Sequence, residues 1–372
     1  MDTLPTVMTD PAVGGPTKAA RLQGQSLWLD NITRRMLDDG TLEKYIRELH
    51  VSGLTSNPTI YNAAVGKTSF YDEAIRGKVA RGLPAEEIFF ELAIEDLARA
   101  ADLLRPVHEA TGGVDGWVSL EVSPRLAYDA ASTLGQAESL HRRAGRANLY
   151  IKIPGTAEGL PSIEEAVYRG VPVNVTLLFT LEQYLAASEA YLRGIERRIE
   201  EGLSPRVSSV ASLFISRWDV ATAATLPTHL VNRLGIAVGG QCYRAYRDML
   251  SSDRFERACG LGAMPQRLLF ASTGVKDSRV QDTLYASALV APNTVNTLPE
   301  STLLAFADHG VVSRTLSAGG GDADRVLHAV ERAGIDVAAL GSKLQSDGAA
   351  AFVKSWDELL AAVDAKCRAV VR

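Results

Sequence analysis

The stretch NLYIKIPG at residues 148–155 has the pattern of a strand that is buried in a sheet. Leu149, Ile151 and Ile153 alternate on one face of such a strand, so Lys152 lies on the opposite face. Lysine is almost never fully buried without a partner or a chemical task. Apolar surroundings would disfavour its ammonium form and leave part of the population as the free amine. Because a positioned free amine can form a Schiff base with a carbonyl compound, Lys152 is the first candidate for a catalytic residue.

Short apolar runs of this kind recur along the chain, and longer helical patterns lie between them. The strand candidates are Ser26–Ile32, Gly53–Pro58, Gly116–Ser123, Asn148–Pro154, Pro172–Phe179, Ser208–Ser216, Leu268–Gly274 and Leu289–Asn293. Such dense alternation predicts parallel strands joined by right-handed crossovers. Eight units predict an α/β fold that consists of a single (β/α)8 TIM barrel. An open doubly wound sheet is the rival fold, but no G-x-G-x-x-G follows the first strand, which disfavours its dinucleotide-binding version.

The two ends of the chain differ in pattern from the barrel. Residues 1–22 are rich in Pro, Gly, Thr and Ala and are predicted to form a flexible tail, whereas residues 23–372 are predicted to form one barrel domain. From Asp322 onward the pattern is helical throughout. Asp336–Leu344 and Ala349–Val370 are therefore predicted to be extra C-terminal helices that pack over the barrel.

The composition narrows the function classes. The net charge is −5 and charged residues make up 22% of 372, which argues against a nucleic-acid or membrane-surface role. No apolar run approaches the roughly 18 residues of a membrane span, and the N-terminal segment lacks the pattern of a signal peptide. The 3 cysteines have no metal-ligand or redox spacing, so a reducing cytoplasmic location is expected. The 6 histidines are scattered, and no metal-binding motif is present.

Polar side chains interrupt one face of several predicted strands. They are Asp30, Asn57, Glu121, Lys152, Asn174, Thr176 and Ser212, with Phe214 following on the last of these strands. Burying unpaired carboxylates and amines costs several kcal/mol each. We therefore expect these groups to meet in one polar pocket, and the C-terminal mouth of a barrel is where strand ends converge.

Each of these residues also has a structural interpretation. Asp30 could cap the turn that follows it, Asn57 could belong to a turn before Pro58, and Glu121 could be an ion-pair partner of Lys152 without chemistry. The polar side chains on the later strands could bond to backbone groups at the barrel ends; they are Asn174, Thr176 and Ser212. For anion binding, Arg217 follows the sixth strand and the segment from Ser272 to Lys276 follows the seventh. Arg217 could instead pair with Asp219.

An ordered set of motifs resembles the transaldolases, most closely the longer bacterial kind. The matching stretches are LWLDNIT (27–33), GLTSNPTIY (53–61), SLEVS (119–123), NLYIKIPGT (148–156), VNVTLLF (173–179), VASLFISR (210–217), ASTGVKD (271–277) and APNTVNTLP (291–299). The resemblance covers nearly all of residues 26–370. It implies a class I aldolase on a (β/α)8 barrel that needs no metal or organic cofactor. The reaction it implies moves a dihydroxyacetone unit from sedoheptulose 7-phosphate to glyceraldehyde 3-phosphate in the pentose phosphate pathway.

The resemblance also implies roles for individual residues. Lys152 looks like the Schiff-base lysine, Glu121 like the acid/base that works through a water held by Thr176, and Asp30 like the base for the C4 hydroxyl. The family's contacts to the dihydroxyacetone unit and to phosphate correspond to Asn57, Asn174, Ser212, Phe214, Arg217 and Ser272. The resemblance implies sugar phosphates as partners. Homodimers are common in the family, but the sequence itself has no independent interface signal.

One position departs from the family pattern. Many relatives carry a second phosphate-binding arginine where this chain has Gly274, and Lys276 is predicted to supply the missing charge. Two alternative functions stay open. One is a lyase on the same fold, such as a fructose 6-phosphate or deoxyribose phosphate aldolase, and the other is a non-catalytic sugar-phosphate sensor.

Overall fold

The computed structural model describes residues 15–56 and 58–370, which form a closed barrel of eight parallel strands. Each strand pairs with the next along the chain, and the last pairs with the first. The strands are β1 (Ser26–Asp30), β2 (Val51–Thr55), β3 (Trp117–Glu121), β4 (Leu149–Pro154), β5 (Val173–Leu178), β6 (Ser209–Phe214), β7 (Gln266–Ala271) and β8 (Val295–Leu298). The predicted (β/α)8 barrel is therefore confirmed.

Helices surround the barrel and follow the strands. They are α1 (Gly15–Leu22), α2 (Arg34–Asp38), α3 (Thr41–Glu48), α4 (Pro58–Lys67), α5 (Asp72–Ala80), α6 (Ala85–Ala110), α7 (Ala130–Ala144), α8 (Leu160–Tyr168), α9 (Leu181–Glu200), α10 (Ser216–Thr222), α11 (Leu234–Leu250), α12 (Asp253–Gly260), α13 (Leu284–Ala288), α14 (Glu300–His309), α15 (Ala323–Arg332) and α16 (Val337–Val370). A 3₁₀ turn covers Pro124–Leu126. No helix in the described part of the chain is both long and apolar enough to cross a membrane.

The predicted position of the eighth strand is wrong. The apolar run Leu289–Asn293 leads into a turn, and the strand follows it at Val295–Leu298. Leu289 is fully buried, so the run does contribute to the core. Burial alone does not distinguish a strand from a buried turn. Here Pro292 and the left-handed Asn293, with a φ of 61°, end the run before the strand begins.

The two chain ends also differ from expectation. Gly15–Leu22 forms helix α1, which packs against α14 and β1, so this part of the predicted flexible tail is helical, whereas residues 1–14 of that tail lie outside the described residues. Its buried Thr17 and Ala20 account for the packing. The two predicted terminal helices are a single helix, α16, of 34 residues. Gly348 lies within it, where the helix passes close to the barrel, so this glycine serves close approach instead of a break.

Aromatic side chains fill the barrel interior below the strand ends. Trp117 stacks on Tyr150 with ring centroids 4.1 Å apart, and Trp28 lies 6.1 Å from the same tyrosine. Gly53 is required beside them, since a Cβ there would lie 2.6 Å from the Trp28 indole. These rings fill the barrel interior, and an open cavity remains at its C-terminal mouth.

Candidate active site

Lys152 and Glu121 lie side by side near the C-terminal mouth. They are register partners on β4 and β3, which places their side chains on the same inner face. Nζ of Lys152 donates to Oε2 of Glu121 at 3.4 Å and to the carbonyl oxygen of Ser56 at 3.3 Å. Burial raises the pKa of Glu121, the charge of Lys152 opposes that rise, and Asp30 adds to it. The Glu121 carboxyl can therefore hold a proton at a higher pH than an exposed glutamic acid.

Asp30 ends β1 on the same side of the barrel. Its Oδ1 accepts a hydrogen bond of 2.9 Å from Thr55, its register partner on β2. The N-cap of the next helix is Thr33, whose hydroxyl accepts from Met36 N, so Asp30 is not the capping residue. Asp30 is only partly buried and lines the cavity, which leaves its second oxygen available to a substrate.

A hydrogen-bonded row of amide and hydroxyl groups completes the floor of the site. Ser212 Oγ donates to Asn174 Oδ1 at 2.7 Å, and Asn174 Nδ2 donates to Ser119 Oγ at 3.2 Å. Asn174 is also the register partner of Lys152. Thr176 follows two residues later on the same strand face, is almost fully buried and lines the cavity.

Arg217 and Ser272 form the opposite end of the cavity. The Arg217 guanidinium carbon lies 5.1 Å from the ring centroid of Phe214, and no acidic side chain of the described residues forms an ion pair with it. Burial lowers the pKa of Arg217, because its charge has lost water without gaining a carboxylate. Asp219, the alternative partner, instead accepts hydrogen bonds from Leu234 N, Gly235 N and Tyr285 Oη. A partly buried guanidinium that has no carboxylate partner favours an anionic ligand.

Ser272 has a strained backbone beside that cation. Its φ is 55°, in the left-handed region that residues other than glycine rarely adopt. Its hydroxyl lies 3.0 Å from the hydroxyl of Ser216, the first residue of α10. Backbone strain of this kind clusters at binding sites, and the two hydroxyls offer hydrogen-bond donors next to Arg217.

Helix α16 forms the roof of the cavity. The ring centroid of Phe352 lies 5.9 Å from Nζ of Lys152 and 5.9 Å from the guanidinium carbon of Arg217. Gln345, two turns earlier, bonds to backbone groups of the barrel. The cavity below has a volume of about 100 Å³. It is lined by Asp30, Thr55, Lys152, Thr176, Ser212, Phe214, Arg217, Leu269, Ala271, Ser272, Thr297 and Phe352.

Four predicted residues are not placed in the wall of this cavity. Glu121 and Asn174 are buried and hydrogen-bond to the lining residues Lys152 and Ser212. Lys276 is exposed and is not among the lining residues, and Asn57 lies outside the described residues.

Sequence reasoning missed Thr55, Thr297 and Phe352. Thr55 and Thr297 lie inside the motifs GLTSNPTIY (53–61) and APNTVNTLP (291–299), so their strand positions could have indicated them. No local pattern distinguishes Phe352 from other apolar residues of α16.

A larger cavity of about 360 Å³ lies at the opposite, N-terminal end of the barrel. Its buried Arg267 donates to the carbonyl oxygens of Val114 and Thr294, and Trp28 donates to Asp115. The charged side chains of Arg267 and Asp115 therefore have hydrogen-bond partners within the protein. Residues at this end of a barrel generally serve stability.

The fold and the mouth cavity define the chain as an enzyme of the (β/α)8-barrel class, since barrel active sites lie at this end. Comparison with known proteins specifies the family. A family model described as "Transaldolase/Fructose-6-phosphate aldolase" matches residues 27–363. The transaldolase of Thermobifida fusca is 43% identical over 94% of this chain and 97% of its own length. "Transaldolase 1" of Streptomyces coelicolor is 42% identical over 96% of each chain.

The chain therefore belongs to the transaldolase/fructose-6-phosphate aldolase family, and it is a transferase with transaldolase function. Among the residues that the structure describes, no group of three or more His, Cys, Asp or Glu side chains is arranged to hold a metal ion.

Proposed function

We propose that this transaldolase moves a dihydroxyacetone unit from sedoheptulose 7-phosphate to glyceraldehyde 3-phosphate through a Schiff base on Lys152. The observation that carries the proposal is the buried Lys152 amine, 3.4 Å from Glu121 at the mouth of the barrel. An amine beside a carboxyl group that can exchange protons is the pair that Schiff-base formation requires.

The first half of the reaction forms the covalent bond and breaks the sugar. The Lys152 amine attacks C2 of the ketose, and Glu121 passes protons, through a water held by Thr176, as the carbinolamine loses water to become an iminium. Asp30 then takes the proton of the C4 hydroxyl. The C3–C4 bond breaks, its electron pair enters the iminium as an enamine, and erythrose 4-phosphate leaves.

The second half reverses these steps with a new aldehyde. The enamine carbon attacks glyceraldehyde 3-phosphate, the new alkoxide takes its proton from Asp30, and hydrolysis of the iminium releases fructose 6-phosphate. The carboxyl groups of Asp30 and Glu121 lie in different environments, so they can have different roles in proton transfer. Asp30 bonds to one threonine at the rim, whereas Glu121 is almost fully buried.

The other predicted site residues bind the substrate in this proposal. Asn174 and Ser212, with Asn57, hold the dihydroxyacetone hydroxyls, and Phe214 bounds the pocket. Arg217 and Ser272 bind phosphate, which is supported by the unpaired charge of the arginine and the adjacent hydroxyls. Lys276 contributes a weaker, solvent-screened attraction for phosphate, since its side chain is exposed.

The proposal extends to the setting of the enzyme. Cys242, Cys259 and Cys367 are free thiols, which supports a reducing cytoplasmic location. Helix α16 packs on α4, α5 and α6 and covers the mouth, which supports the barrel and its C-terminal helices acting as one domain.

Borohydride trapping tests the proposed lysine. Reduction in the presence of fructose 6-phosphate should add the mass of a reduced dihydroxyacetone adduct to the parent enzyme and none to Lys152→Ala. Peptide mapping should place the label on Lys152 and leave Lys78 unlabelled. Lys78 is a second buried lysine, but it pairs with Glu91 and Glu95 and so provides an internal control. Label on any other lysine would remove Lys152 from the mechanism.

Product analysis separates the transferase from a lyase of the same family. With fructose 6-phosphate and erythrose 4-phosphate, sedoheptulose 7-phosphate should accumulate much faster than free dihydroxyacetone. Equally rapid release of dihydroxyacetone without an acceptor would instead indicate a fructose 6-phosphate aldolase.

A further inference from the structure

One face of helix α16 lies directly on the active site. Gln345, Gly348 and Phe352 are spaced three and four residues apart, so they share this face. A Cβ built on Gly348 would lie 3.1 Å from Nη1 of Arg217 and 3.1 Å from Leu177. The helix backbone therefore approaches the barrel as closely as side chains allow.

Gln345 joins this helix to the strands that carry the proposed catalytic groups. Its Nε2 donates to the carbonyl oxygen of Gly155 and to that of Leu177, each at 3.0 Å. Gly155 directly follows β4, which carries Lys152, and Leu177 follows Thr176 on β5. Leu177 has a left-handed φ of 60°, a conformation that needs support from its surroundings.

Phe352 stands over the reacting end of the cavity. Its ring is 5.9 Å from Nζ of Lys152 and equally far from the Arg217 guanidinium, so it lies above both ends of the proposed substrate site. The side chain is only partly buried, which places it between the cavity and solvent. Removing the ring would open the space above the Lys152 amine to water.

We propose that Phe352 shields the covalent enamine from water and that Gln345 is the positioning residue that keeps it there. The inference rests on the proposed Lys152 adduct. The enamine has two fates, because it can attack an acceptor aldehyde or take a proton at its nucleophilic carbon to become an iminium. Addition of water to that iminium gives free dihydroxyacetone and restores the Lys152 amine. Exclusion of water suppresses the second fate, so the helix sets the ratio of transfer to release.

The ratio of free dihydroxyacetone to sedoheptulose 7-phosphate, formed from fructose 6-phosphate and erythrose 4-phosphate, measures this function. Phe352→Ala should raise the ratio several-fold, and Phe352→Leu should raise it less because a bulky apolar group remains. Gln345→Ala, which keeps the Phe352 side chain but removes the two hydrogen bonds that hold α16 against the barrel, should also raise it. Lys354→Ala, on the exposed face of the same helix, should match the parent.

Borohydride trapping on each variant separates the two hypotheses. Normal labelling of Lys152 with an unchanged ratio in Phe352→Ala and Gln345→Ala would overturn the role of α16 and leave the proposed function intact. Absence of label in the parent would overturn the proposed function and this inference with it. If Phe352→Ala fails to fold, Gln345→Ala and Phe352→Leu decide the question, since each retains a large apolar side chain at residue 352.

Discussion

Nζ of Lys152 lies 3.4 Å from Oε2 of Glu121, although the two side chains come from different strands and are only 9% and 5% exposed. A buried amine and a buried carboxyl group in contact are costly to maintain as a structural pair. Burial raises the pKa of Glu121, so the pair can redistribute a proton when a substrate arrives. This relationship gives the first prediction.

Glu121→Gln should preserve the fold and lower kcat by about 10²–10⁴-fold, the usual range for loss of a general acid/base. The amide has nearly the same shape but cannot exchange the proton. Stopped-flow assays should show slower formation of the Lys152 adduct, whereas the KM for fructose 6-phosphate should change little. An unchanged kcat would make Glu121 a structural partner only.

Arg217→Ala should raise the KM for phosphorylated donors far more than the KM for unphosphorylated fructose or dihydroxyacetone. The reason is that Arg217 carries a partly desolvated charge at the cavity, with no acidic partner in the part of the chain that the structure describes. Losing a charge-assisted contact to a phosphate group costs about 1.5–3 kcal/mol, which corresponds to a rise of roughly 10–150-fold at about 1.4 kcal/mol per factor of ten.

Lys276→Ala is the comparison for that experiment. Because the Lys276 side chain is exposed, its effect should be smaller than that of Arg217 and should fade at high salt. Equal effects of Arg217→Ala on phosphorylated and unphosphorylated donors would remove the arginine from the phosphate site. A larger rise in KM for Lys276→Ala than for Arg217→Ala would make Lys276 the main phosphate-binding residue.

Gly348→Ala should separate binding from stability. A methyl group there would lie 3.1 Å from Nη1 of Arg217, so the guanidinium must shift. The KM for fructose 6-phosphate should rise, while Tm should change little, because the helix preference of alanine over glycine, about 1 kcal/mol, offsets the displacement of Leu177, which would also lie 3.1 Å from the methyl group. Gly135→Ala on α7 is a matched control, since nothing lies within 4 Å of the added methyl. A normal KM in Gly348→Ala would show that Arg217 tolerates displacement.

Asp219→Asn should change how stability depends on pH. Burial raises the pKa of Asp219 from 3.8 to about 6, against the hydrogen bonds it accepts from Tyr285, Gly235 and Leu234. The folded state therefore holds the proton more tightly than the unfolded state, and stability is lost as pH rises from about 4 through 6. At about 1.4 kcal/mol per pKa unit, the ionised carboxylate destabilises the native state by about 3 kcal/mol.

Urea unfolding of the parent and of Asp219→Asn between pH 4 and 8 measures this effect. The free energy of unfolding of the parent, relative to the variant, should fall by up to about 3 kcal/mol from pH 4 to pH 7 and stay constant above that. If the free energies of unfolding of parent and variant differ by a constant amount over the whole pH range, Asp219 has the same pKa in the folded and unfolded states.

The barrel and most of its site were accessible from the sequence because the information is local. Strand periodicity places Glu121, Lys152, Asn174 and Thr176 on inner faces, and parallel pairing brings neighbouring strand ends together. The predicted position of the eighth strand is wrong because a buried turn and a strand can have the same apolar composition. Its position depends on Asn293, whose left-handed backbone is visible only in three dimensions.

Local sequence patterns are enough to predict the strand order, the inner faces of the strands and the lysine among them, since strand side chains alternate with a period of two residues. Three features depend instead on how distant elements pack: α16 is one helix, Phe352 covers Lys152, and Asp219 bonds elsewhere, so Arg217 has no acidic partner among the described residues. These contacts join residues up to 200 positions apart, as Lys152 and Phe352 are. No local pattern encodes such a contact, because it depends on how whole helices pack against the barrel.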